Sequence, residues 1–125
     1  MPVKSSGLSV RTWPDAVIVR DELRKWACRQ AESRPVMART GYFGSYARGD
    51  WGVGSDLDIV VVVDRSDEPF ERRSVQWDAT ELPVPAEILV FTEEEIKNHP
   101  SRKFRRMISE ETVWVWERGK DAAII

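Results

Sequence analysis

Five consecutive β-branched residues, Ile59 to Val63, directly follow Asp56-Leu57-Asp58. Their stiff side chains favour extended backbone, so Asp56 to Val63 is the strand around which any fold of this chain must be built. In a strand, residues two apart share a face. Asp56 and Asp58 therefore lie on one face, and Leu57, Ile59, Val61 and Val63 on the other. A rise of about 3.3 Å per residue sets the two aspartate α-carbons roughly 6.6 Å apart, close enough for both carboxylates to converge on one or two hard cations. Oxygen-only ligation suits magnesium or manganese. Carboxylates beside Leu57 and Ile59 are costly to desolvate unless a cation or hydrogen-bond donors meet them. The plainer reading makes Asp56 a turn acid that starts the strand and leaves Asp58 solvated on an open face.

The flanking segments supply the rest of a small domain. Residues 1–12 mix Pro, Ser and Gly without a period and read as a flexible leader. Thr12-Trp-Pro-Asp has the oxygen cap, early Pro and early acid of a helix start, and the apolar spacing from Ala16 through Leu23 and Ala27 carries that helix to about Glu32, before Pro35. Val36 to Phe43 alternates as a strand that stops at Gly44, followed by room for a helical turn over Ser45 to Arg48. A helix is expected from Glu68 to about Thr80, with Phe70, Arg73 and Trp77 on one side. A strand follows from Ala86 to Phe91, then a capping box at Thr92-Glu93-Glu94-Glu95 and a short helix that breaks near Pro100. Arg102 to Glu110 forms another helix, and Thr112 to Trp116 a last, edge strand. The order predicts an α+β domain: a small mixed β-sheet with helices packed on one face. The domain is expected to span 13–118, with 119–125 as a C-terminal tail.

Composition narrows the function. The 125 residues suffice for one compact domain. The longest apolar run is Ile59 to Val63, far too short for a membrane span. No secretory signal is recognisable, and a lone Cys28 fits a reducing compartment, so the expected location is cytoplasmic, with Cys28 as small core packing. Nineteen basic against 21 acidic residues give a net charge of −2. There is no bulk positive field to collect nucleic acid, and a polyanion must be handled locally. The cluster Arg102-Lys103-Phe104-Arg105-Arg106 reads as a solvated helix face and His99 as a surface residue. Trp26, Trp77 and Trp114 are expected in the core, and Trp51 in the glycine loop is free to stack a base or a partner.

A strand that ends in Gly44-Ser45 before a helical turn offers backbone N–H groups and a hydroxyl to phosphate, although one Gly-Ser pair is equally an ordinary turn. Its weight comes from spacing, since ten residues, Tyr46 to Ser55, separate it from Asp56-Leu57-Asp58. A phosphate cradle and a carboxylate pair would then meet at neighbouring strand ends.

Gly44-Ser45, ten residues, then Asp56-Leu57-Asp58, with an apolar strand on either side, resembles the signature of the DNA polymerase β-like nucleotidyltransferase superfamily. The short chain and the stretch GSYARGDWGVGSDLDIVVVV are similar to the minimal nucleotidyltransferases, often the antitoxin half of modules paired with a HEPN-domain ribonuclease. The resemblance covers roughly Val36 to Trp116. It implies a third carboxylate on a later strand, for which Glu87 is the candidate where the family more often has Asp. It also implies two-metal transfer of AMP from ATP. Asp56, Asp58 and Glu87 would hold Mg2+ or Mn2+, Glu87 would accept the proton, and Gly44 and Ser45 would grip phosphates. Arg48 stands ready for a phosphate, whereas Tyr46 replaces an arginine common among relatives. The implied acceptor is a hydroxyl on a protein partner, a cognate HEPN toxin. Two alternatives remain: a small hydroxylated acceptor of the aminoglycoside type, and an antitoxin that binds without catalysis.

Overall fold

The computed structural model describes residues 14–120. The leader, the Thr12 cap and residues 121–125 of the tail lie outside them. Helix α1 spans Ala16–Ser33 and is capped by Asp15, whose carboxylate accepts from the Ile18 N–H at 3.0 Å. Strand β1 is Met37–Phe43, followed by the four-residue helix α2, Ser45–Arg48. Strand β2 is Leu57–Val63. A one-turn helix α3, Phe70–Arg73, runs into a 3-10 turn at Ser74–Gln76, and strand β3 is Ala86–Thr92. Helices α4, Glu93–Lys97, and α5, Arg102–Arg106, precede a π-helical turn, Met107–Glu111, and strand β4, Val113–Glu117.

The strands form one mixed sheet in the order β3-β2-β1-β4. Strand β1 is antiparallel to both neighbours, and β2 is parallel to β3. The expected edge position of the last strand is the observed one.

Packing corrects the placement of all helices on one face. Leu57, Ile59, Val61 and Val63 of β2 pack with Val19, Leu23 and Trp26 of α1 and with Trp77. The alternate residues Val60 and Val62 are equally buried, against Ile96 of α4 and Ile108 of the π-helical turn. A strand that is apolar on both sides needs cover on both, at roughly 1.5–3 kcal/mol for each large side chain removed from water. The short C-terminal helices supply the second layer. Three other expectations change. The helix from Glu68 to Thr80 stops at Gln76, because Asp78 Oδ1 accepts from both the N–H and the hydroxyl of Thr80 and closes a local turn. Cys28 is exposed on α1 rather than packed. His99 is half-buried, stacked on Phe104 with ring centroids 4.0 Å apart.

Two ion pairs fasten the sheet away from the Asp56 end. Arg73, itself buried, donates to both carboxylate oxygens of Glu95 at 2.6 and 2.9 Å and to the carbonyls of Glu68 and Val90. Arg118 grips Asp64 with two hydrogen bonds of 2.8 Å.

Candidate active site

The pairing register brings the sequence candidates together. Strand β1 ends where β2 and β3 begin, with Phe43 opposite Asp58 and Asp58 opposite Glu87. Directly paired residues share a face, so Phe43, Asp58 and Glu87 form one row across three strands. Asp56, two residues before Asp58, projects to the same side at the mouth of β2.

Gly44 completes the row from the β1 side. Its φ of +78° lies in the left-handed region open to glycine, and its carbonyl accepts the N–H groups of Ala47 and Arg48 at 3.0 and 2.9 Å, which starts α2. A Cβ on Gly44 would run into the Asp58 carboxylate, 3.2 Å from its Cγ and closer still to Oδ2. Glycine is therefore demanded twice, by conformation and by the carboxylate it touches. Ser45 follows, half-buried, with its hydroxyl unpartnered among the described residues.

Arg48 is exposed and pairs with Asp50 at 3.2 Å. It is near enough to Asp58 for its charge to act there. Tyr46 turns the other way. Its ring is buried in the α1-side core, stacks on Trp51 at 5.3 Å and 8°, and donates its hydroxyl to the Pro14 carbonyl at 3.4 Å. Position 46 thus anchors the glycine loop and α2 to the domain, and Trp51 is occupied as its stacking partner. Neither role was legible from spacing, because both depend on which side of a four-residue helix meets the core.

The electrostatics single out Asp58. Partial burial first, then the neighbouring carboxylates of Glu87 and Asp56, push its carboxyl above the ordinary range, against an opposing pull from Arg48. The end of the sheet holds a row of acids that repel one another. Among the described residues, no three Asp, Glu, His or Cys side chains already converge into a metal-holding group. The donor set nevertheless fits magnesium or manganese. Such ions are commonly held by one or two carboxylates, with substrate phosphate oxygens and water filling the other positions, rather than by a closed protein cage. The repulsion at Asp58 is what a bound cation would relieve.

Sequence and structure comparisons bear on the family and the fold. The model of the family described as nucleotidyltransferase domain matches residues 22–115. A comparison with curated proteins finds no match. Among solved structures, a Sulfolobus solfataricus protein assigned as a nucleotidyltransferase superposes with a TM-score of 0.63 at 21% identity, covering 94% of this chain and 95% of the other. A chain from a toxin-antitoxin structure with AMP-PNP superposes with a TM-score of 0.55 at 15% identity, covering 81% of this chain and 78% of that one. At such identities the superpositions speak for the fold alone, a small mixed α+β architecture. Matched over most of its length by the family model, the chain belongs to the nucleotidyltransferase domain family.

Proposed function

We propose that this protein transfers AMP from ATP to a hydroxyl of a protein partner, and that it acts in the cytoplasm as the antitoxin of a cognate HEPN ribonuclease toxin. The observation that carries the reading is the row at the strand ends: Asp58 in register with Glu87, crowded by Asp56, and touching Gly44. The toxin-antitoxin structure with AMP-PNP among the fold neighbours supports the choice of partner class and of nucleotide.

In this reading Asp56, Asp58 and Glu87 would hold Mg2+ or Mn2+, which would supply charge neutralisation at the triphosphate and a more acidic acceptor hydroxyl. Gly44 and Ser45 hold the terminal phosphates, the glycine by letting them approach the backbone and the serine through its hydroxyl. Arg48 releases Asp50 to pair with phosphate. The acceptor oxygen then forms its bond to the α-phosphorus as the bond to the bridging β-oxygen breaks. Pyrophosphate leaves, and the hydroxyl proton passes to Glu87. Most of the rate enhancement comes from alignment and charge neutralisation.

The test is label transfer in a lysate of the source cells. Purified protein with magnesium and α-labelled ATP is expected to mark one protein band, and the Asp58→Asn protein none. Label confined to small molecules would replace the protein acceptor with a drug-like one. A stable partner complex without any label would leave a binding antitoxin.

A further inference from the structure

The outer margin of β3 is only half closed. Leu57 pairs with Ala86, and the Leu57 N–H donates to the Pro85 carbonyl at 2.8 Å. In a parallel ladder this parity turns the backbone groups of Glu87, Leu89 and Phe91 toward β2, and those of Ala86, Ile88, Val90 and Thr92 outward. No strand lies beyond β3 among the described residues. At the far end side chains take the outward groups: Arg73 donates to the Val90 carbonyl at 3.2 Å, and the Thr92 N–H donates to Glu95 at 2.9 Å. At the near end, beside Glu87, the outward N–H and C=O of Ala86 and Ile88 have no hydrogen-bond partner among the described residues.

Those open groups face a cleft of about 840 Å³, walled opposite β3 by the stretch from Phe70 to Pro85. Among the described residues, Glu71 and Glu87 are the only charged ones along it. An unpaired strand margin is complementary to another extended backbone, which settles about 4.8 Å away. Two carboxylates without a cation oppose a nucleic-acid strand.

We propose that this cleft receives an extended segment of the acceptor protein as an added strand against Ala86–Ile88, with a hydroxyl-bearing side chain opposite Glu87. The proposal rests on the transfer reading above and specifies how the acceptor is held. Paired residues share a face, so the acceptor hydroxyl, Glu87 and Asp58 stand in one row across three strands. Backbone pairing supplies position without regard to most of the segment's side chains, and the Arg73–Glu95 pair stops the segment at Val90.

Hydrogen exchange of the full chain tests it with the peptide acetyl-Lys-Val-Tyr-Val-Lys-amide at millimolar concentration, its fully N-methylated counterpart, and a five-nucleotide RNA. The first peptide is expected to slow exchange at the Ala86 and Ile88 amides about fivefold or more, leaving Glu87 and Leu89, already bonded to β2, as internal controls. Ala86→Pro removes one outward donor while keeping the ladder to β2, and should weaken the peptide about tenfold. Absence of slowing, equal slowing by the N-methylated peptide, or slowing by the RNA would overturn the proposal. Asp58→Asn separates the two readings, since it should abolish label transfer and keep the amide protection. Label transfer by wild type without protection at Ala86 and Ile88 removes the docking and spares the transfer reading. Protection without label transfer does the reverse.

Discussion

Strand β2 has an aspartate near its start and another just past its end, and their surroundings differ in sign. Asp64, at the end, receives two hydrogen bonds from Arg118, which hold its carboxyl below the usual carboxylate range. Asp58, at the start, has two carboxylates for neighbours and is pushed above that range by burial and by their charge. Arg73 and Glu95 repeat the pattern of Asp64, with the Arg73 hydrogen bonds bringing Glu95 down to about 2. One end of the sheet is electrostatically complete within the chain, and the other is left incomplete, with its acids crowded together. Ion pairs that close on themselves hold a fold in place. A row of unneutralised acids is kept at a cost and marks where a ligand contributes.

Breaking the incomplete end should have the largest effect. Asp58→Asn is expected to lower nucleotidyl transfer by about 10³-fold, measured as initial rate of label incorporation. Gly44→Ala places a Cβ at positive φ against Asp58, and should cost about 3 kcal/mol in urea unfolding together with most of the transfer. At the complete end, Arg73→Ala removes the partner of Glu95 and the donor to Val90. The expected loss is about 2 kcal/mol, below the range for a fully buried pair because the Glu95 side chain is 40% exposed.

The pH dependence sharpens the contrast. Glu95 is lowered from 4.5 to about 2, so its contribution is present above pH 4.5 and lost as pH falls toward 2. Asp58 is raised, so its contribution is present below the ordinary carboxylate range and lost as pH rises through its folded value. Asp58→Asn should therefore raise the melting temperature of the ligand-free protein by about 3 °C at neutral pH, and the gain should vanish at acid pH where Asp58 is protonated. Smallest of all, Arg118→Ala should leave transfer within about twofold of wild type, because its partner Asp64 stands at the opposite end of β2.

Much of this contrast could be read from residue order. The β-branched run after Asp58 specified β2, and Thr92 with Glu95 forms the expected capping box. Ser45 to Arg48 is the short helix that its position after Gly44 suggested. These features are local, decided by side chains within a few residues of one another. What could not be read depends on distant partners. The second helical layer follows from the burial of Val60 and Val62, which a face beginning with two aspartates conceals. Tyr46 shows its role only through Pro14 and Trp51, and Cys28 is exposed although it lies next to the buried Ala27. The alignment of Glu87 with Asp58 is a matter of register between parallel strands, which no short-range pattern encodes.

The position of β1 in the sheet has a consequence for how the molecule folds. The row Gly44, Asp58 and Glu87 is complete within the first three strands, but one side of β1 is covered only by β4, which begins at Val113. A folding intermediate with three strands paired and the last undocked carries the whole acidic row on a sheet whose β1 margin is bare and open to pairing with a neighbouring chain. The last strand thus acts as a closing seam, and a chain cut short before it would keep the acidic row while losing protection against aggregation.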